Sequence, residues 1–156
     1  MEPSILGRYF EDFEKGAVIE HALSKTLFES DNNLFCLLTM NHHPLHINVD
    51  YARKSQHGRP LVVGTLVFSV VVGMTVPDIS GKAIANLGYE KVDHLAPVFV
   101  NDTLYARTTI LDCRESKSKK DRGVVYVETS ACNQHGTEVL RFRRSVLVKK
   151  REYDKK

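Results

Sequence analysis

Cysteine is scarce in this 156-residue chain, and Cys36, Cys113 and Cys132 are odd in number, far apart and without a CxxC spacing. That pattern argues against a disulfide framework or a zinc knuckle and suits a reducing, cytoplasmic setting. The basic-then-apolar order of a signal peptide is also missing, because MEPSILGRYFEDFEKG alternates acidic and aromatic residues. Long apolar runs are limited to Leu61 to Val76, which lies between Pro60 and Pro77. As a helix it would rise only about 24 Å, short of the roughly 30 Å hydrocarbon core, so a buried helix rather than a membrane span is expected. No excess of charge of one sign exists: the net charge of +3 is too small to imply nucleic acid. The surplus is local, in Arg141, Arg143, Arg144, Lys149, Lys150 and Arg151, and reads either as a charged strand edge or as a rim for a phosphorylated ligand. No repeat, low-complexity block or linker divides the chain, so one domain over residues 1–156 is expected.

Hydrophobic residues at 42% and charged residues at 26% are ordinary for a globular core. A strand is expected near Val18 to Lys25. Thr26 and Glu29 then have the spacing of a capping box, ahead of a short helix with Leu34, Phe35 and Leu38 as its apolar stripe, ending near Thr39. The Leu61 to Val76 run has many valines, but its length favours a helix over a strand. Pro60 suits its first turn, and its uniform apolarity implies wrapping on most sides. Strands follow over Ile84 to Val92, Thr103 to Cys113, Gly123 to Cys132 and Val139 to Lys149. They are joined by turn chemistry at Asn101-Asp102, ESKSKKDRG and NQHG. These pieces predict an α+β architecture, an antiparallel sheet wrapped around one apolar helix.

Between the first helix and the apolar run lies LTMNHHPLHINVDYA, with three histidines around a proline. His42 and His46 have the i, i+4 spacing of a metal-binding helix, but Pro44 interrupts the helix that would align them, so no metal is expected. The cluster is expected to be a loop whose imidazoles either cap turns or exchange protons with water.

The chain resembles the MaoC-like, or R-specific enoyl-CoA hydratase, branch of the hot-dog fold. That branch has a motif of aspartate, any residue, asparagine, proline, an aliphatic residue and histidine, and this chain has Asn41-His42-His43-Pro44-Leu45-His46 at those places. GRYFEDFEKG, GRPLVVGTL and LAPVFVNDTL are similar to the family's opening, its entrance to the central helix and its following strand-turn-strand segment. LTMN-x-HPLH, GRPLV, LGYEKV, RESKS and NQHG resemble a subgroup of itaconyl-CoA and mesaconyl-CoA hydratases, or beta-methylmalyl-CoA dehydratases. The resemblance implies a hydratase or dehydratase acting on a short, branched dicarboxylyl enoyl-CoA. It also implies His46 as acid/base and the Gly64 amide as donor to the thioester oxygen; Gly64 has the alternative reading of close helix-to-sheet packing. Asn41 departs from the aspartate, since an amide can orient water but not accept a proton. His43 then shares the acid and base roles with His46, or the site only binds acyl thioesters. A free substrate carboxylate would need a cation, for which Arg59 and then Arg53 are the candidates. No cofactor is implied, because coenzyme A is part of the substrate. An acyl-CoA thioesterase and a non-catalytic acyl-CoA-binding subunit are the competing functions. A homo-oligomer, dimer or higher, is expected because a single hot-dog sheet leaves an edge open.

Overall fold

The computed structural model describes Met1 and residues 6–154; residues 2–5 of the opening segment and residues 155–156 of the tail lie outside the described residues. Its frame is four long antiparallel strands: β3 (Ala83–His94), β4 (Thr103–Glu115), β5 (Arg122–Cys132) and β6 (Glu138–Lys149), close to the spans that alternation predicts. With the short β1 (Val18–Glu20) the sheet order is β1-β4-β5-β6-β3, and β2 (Lys25–Thr26) also pairs with β4. The second and third of the expected hairpins form, β4 with β5 and β5 with β6, but Asn101-Asp102 closes none, because β3 pairs with β6 and not with β4. Asn101 adopts a left-handed φ of 74° and Gly136 one of 77°, conformations that asparagine and glycine tolerate. The Asn133 side chain accepts the amides of His135 and Thr137.

The opening strand is broken rather than continuous. After β1 the chain turns His21 inward and rejoins β4 only at β2. Thr26 lies in β2, its hydroxyl bonded to that of Thr103, so the expected Thr26–Glu29 capping box does not form. The helix α1 (Glu29–Thr39) begins one residue after Phe28, whose amide is accepted by Asp31. Nor does α1 bury Leu34 and Leu38. Asn32 and Cys36 face inward with Phe35 beside them, because Asn32 has three backbone partners to reach, while Leu34, Leu37, Leu38 and Met40 are exposed.

The central helix α4 (Gly64–Thr75) starts later than Pro60 suggests. Leu61 bridges Phe99 and the Val62 amide bonds Val98, so residues 61–63 are extended and locked before the helix begins. At its far end the helix runs through Pro77 as a wider turn over Val76–Ser80. Leu66, Val67, Val71 and Met74 pack onto the sheet, but Thr65, Ser69 and Val76 are exposed, so one face of α4 is open rather than wrapped. The strand β3, next to β6 at the end of the sheet order, is an edge with both faces largely exposed.

Two apolar clusters make the core. One joins Leu66, Val67 and Val71 to Leu104, Leu140 and Phe142, and the other joins Ile19 and Ile79 to Ile110, Val125, Val127, Val146 and Val148. Between them the inward positions of three strands switch to Thr108, Thr129 and Arg144, all buried, and His21 and Asp78 join that layer. The C-terminal basic residues form no free patch. Arg141, Arg143, Lys149, Lys150 and Arg151 pair with Glu138, Glu128, Asp154, Glu115 and Asp12, and Arg144 is interior. Nor are they a strand edge, because β6 lies between β5 and β3 and is paired on both sides.

Candidate active site

Asn41, His42 and His43 lie in the expected loop, but His46 is in the first of two short helices that follow, α2 (Pro44–Ile47) and α3 (Val49–Arg53). Pro44 does stop a helix from running through His42 to His46, yet its fixed φ suits the first turn of a new one. His43 is the N-cap: its Nδ1 accepts the Leu45 amide at 3.1 Å. Asn48 then caps α3 by accepting the Tyr51 amide. These two caps set the direction in which α2 presents His46.

His46 is held by the strand-like segment before α4. Its Nδ1 lies 2.9 Å from the Leu61 carbonyl oxygen, and a carbonyl can only accept, so Nδ1 carries the proton and Nε2 keeps the lone pair. Asn32, reaching in from α1, binds all three pieces of the site. Its Nδ2 donates to the carbonyls of His46 and Leu61 at 3.1 Å each, and its Oδ1 accepts the Val63 amide at 3.0 Å. Thus one buried amide fixes the backbone of His46, the residue that sets its tautomer, and the residue immediately before Gly64.

Gly64 opens α4, and its amide and that of Thr65 have no acceptor among the described residues, as expected for the first turn of a helix. His46 and Gly64 line one cavity of about 200 Å3, otherwise walled mainly by Leu61, Val67, Val98 and Val139. His46, its Nε2 without a partner among the described residues, and the first residue of α4 therefore line one small, mainly apolar chamber. On its other side His46 also borders a groove of about 560 Å3 between α1 and α2, lined by Glu29, Asn33, Val49 and Val100 among others. The chamber suits a small acyl unit and the groove a longer polar portion.

The other residues singled out from the sequence are more peripheral. The ring centroids of His43 and His46 are 6.1 Å apart, and the His43 Nδ1 lone pair is occupied by its cap. Asn41 lies between α1 and α2 with its side chain partly buried and lines neither cavity. Arg59 stacks its guanidinium 3.6 Å from the centre of the Phe99 ring, just before the Pro60 wall of the groove, while Arg53 ends α3 exposed. Among the described residues no three His, Cys, Asp or Glu side chains group as metal ligands. Two site residues escape a reading of the sequence. Asn32 shows only as a polar residue on a helical stripe, and His94, which lines the chamber with His46, ends a strand in the gap between the LGYEKV and LAPVFVNDTL segments and belongs to neither.

This architecture, with its antiparallel sheet and long helix, is the hot-dog fold, and residues 12–132 match the model of the MaoC like domain. The chain belongs to that family. It is 40% identical over 146 residues to mesaconyl-CoA hydratase of Cereibacter sphaeroides, covering 94% of this chain and 42% of the relative. A solved MaoC domain protein of Chloroflexus aurantiacus superposes with a TM-score of 0.90 at 37% identity, over 98% of this chain and 43% of that one. A Mycobacterium tuberculosis protein described as having a double hot-dog fold does so at 0.86 and 25% identity, over 96% and 46%. The chain thus spans less than half the length of these relatives. No helix of the described residues is long and apolar enough to cross a membrane.

Proposed function

We propose that this domain adds water reversibly across the double bond of a short enoyl-CoA thioester, and that its substrate is a branched dicarboxylyl thioester of the mesaconyl-CoA or itaconyl-CoA type. The observation that carries the reading is the His46 tautomer: with Nδ1–H given to Leu61, Nε2 is left as a base beside the Gly64 donor. In the hydration direction Nε2 takes a proton from water while the water oxygen bonds to Cβ. The π electrons move to the thioester oxygen, where the Gly64 amide stabilises the enolate, and the imidazolium returns the proton to Cα. Asn41, at the place of the family's carboxylate but outside both cavities, leaves His46 to activate the water, and His43 supports the imidazole at the mouth of the site. Such polar addition needs an acid/base group and an oxyanion donor, and no cofactor beyond the coenzyme A of the substrate.

The substrate class draws support from the 40% identity to a protein named mesaconyl-CoA hydratase and from the smallness of the chamber. Arg59, held flat against Phe99, is the first candidate to meet the distal carboxylate, and Arg53 the second. We further propose that the active unit is a homo-oligomer in which a second protomer covers β3 and the open face of α4. Incubation with crotonyl-, mesaconyl- and itaconyl-CoA, following enoyl absorbance and free thiol separately, tests the reaction. Absorbance lost without thiol release is the expected result; thiol release would make the domain a thioesterase, and neither change would make it an acyl-CoA-binding subunit.

A further inference from the structure

The feature left unused by this mechanism is His94. It is the last residue of β3, held in register opposite Leu140 of β6, with the next amide, that of Leu95, bonded to the Val139 carbonyl. Its ring crosses to the start of α4. A Cβ built on Gly64 would lie 3.0 Å from His94 Cε1 and 3.3 Å from both Nδ1 and Nε2, so the imidazole stands in the space that any other residue at 64 would fill. Glycine has no special φ here, but a side chain at this position would press on the ring, which would have to give by a few tenths of an ångström. Neither ring nitrogen has a hydrogen-bond partner among the described residues, although His94 lines the same chamber as His46.

We infer that His94 is a second hydrogen-bond donor to the thioester oxygen of the substrate, acting with the Gly64 amide; the inference rests on the hydratase reading above. A thioester oxygen has two lone pairs, and one backbone amide satisfies only one of them. A thioester oxygen that reaches the Gly64 amide comes close to the His94 ring, because both ring nitrogens lie 3.3 Å from the position a Gly64 Cβ would take. His94 lines the chamber while part of the residue stays exposed, and a donor fixed there strengthens its bond without reorganising as charge builds on the oxygen in the enolate. With Asn41 in place of a carboxylate the water is activated by His46 alone, so added enolate stabilisation lowers the demand on that base. This is a catalytic role by contact with a reacting atom, distinct from the acid/base work of His46.

The test combines turnover with a direct readout of carbonyl polarisation. His94→Leu keeps bulk without a donor, and His94→Gln restores an N–H. On mesaconyl-CoA, His94→Leu is expected to lower kcat by about 10²-fold, the loss typical of one oxyanion donor, with KM changed only a few-fold, and His94→Gln to recover most of it. Difference infrared spectra of bound methylsuccinyl-CoA carrying a ¹³C thioester carbonyl, which has no double bond to hydrate, should show the carbonyl stretch lowered in the parent. The stretch should return toward the free value in His94→Leu and fall again in His94→Gln. Should His94→Leu fail to show the parent's circular dichroism, His94→Ala carries the same expectations. A kcat at the parent's level or an unmoved carbonyl stretch in the donorless variant overturns the inference. A parent that hydrates nothing yet loses its carbonyl shift on His94→Leu overturns the hydratase reading and leaves the donor in place; a parent that does not bind the thioester overturns both.

Discussion

At the scale of single residues the site depends on which nitrogen of His46 holds the proton. The Leu61 carbonyl decides this, and His46→Ala is expected to lower hydration by about 10²- to 10⁴-fold while leaving the thermal melt nearly unchanged, since the ring is only partly buried. Activity within a few-fold of the parent would remove His46 from the mechanism. Arg59 lends itself to a comparison between substrates. If it meets the distal carboxylate, Arg59→Met removes a charge-assisted bond of roughly 1.5–3 kcal/mol, about ten- to a hundred-fold in kcat/KM for mesaconyl-CoA. Crotonyl-CoA, lacking the carboxylate, should be spared, so the ratio of the two kcat/KM values is the informative quantity. An unchanged ratio would clear Arg59 and turn attention to Arg53, which ends α3 without a carboxylate partner among the described ion pairs.

At the scale of elements, Asn32 does for α1, α2 and the start of α4 what a strand ladder does for the sheet. Removing its side chain in Asn32→Ala leaves the buried Val63 amide and the His46 carbonyl unsatisfied, at roughly 1–3 kcal/mol per group, so a loss of about 2–4 kcal/mol is expected in urea unfolding. A smaller activity loss than stability loss would mean that His46 keeps its place through Leu61 alone. The polar layer between the two core clusters makes a different prediction. His21 bonds Asp78 through Nδ1 and Thr108 through Nε2, both at 2.7 Å, and Thr108 meets Thr129 at 2.8 Å. A neutral His21 satisfies this chain, donating to the Asp78 carboxylate and accepting from the Thr108 hydroxyl. Burial pushes its pKa below the ordinary 6.5 despite the pull of Asp78. Between the folded pKa and 6.5 the unfolded chain therefore binds the extra proton. The stability from this group is full above pH 6.5 and is lost as pH falls below it. The melting temperature should drop between pH 7.5 and pH 5 in the parent and drop less in His21→Gln. Equal slopes in the two proteins would show that the loss comes from elsewhere.

At the scale of the whole molecule, the exposed apolar residues are grouped rather than scattered. Ile84, Leu87, Tyr89 and Val92 lie along the edge strand β3, Tyr89 meeting Phe68 of α4, and Leu34, Leu37, Leu38 and Met40 mark α1 and its C-cap. An unpaired strand edge beside apolar surface is costly to leave in water and invites pairing. Sedimentation at micromolar concentration should give a mass that is a multiple of the 17.7 kDa chain. A stable and fully active monomer would defeat the oligomer proposal.

Local chemistry was enough to write much of this protein in one dimension. Alternation placed β4, β5 and β6 to within a few residues, because a half-buried strand cannot avoid a period of two. Asn101 and Gly136 marked turns because few other residues tolerate their φ. The PLH segment and Gly64 were legible as candidates through the family resemblance, and the fold brings His46 and Gly64 to one cavity. What the sequence could not decide were facts that depend on partners distant along the chain. The buried face of α1 followed Asn32 and its backbone partners rather than the leucines. Helix α4 began at Gly64 rather than at Pro60 because Leu61 and Val62 were already committed to Phe99 and Val98. His94 met Gly64 across thirty positions of sequence only because β3 ends where α4 begins. A propensity is a property of neighbours along the chain, whereas a hydrogen bond or a filled Cβ space belongs to neighbours in space, and only the folded sheet determines which residues those are.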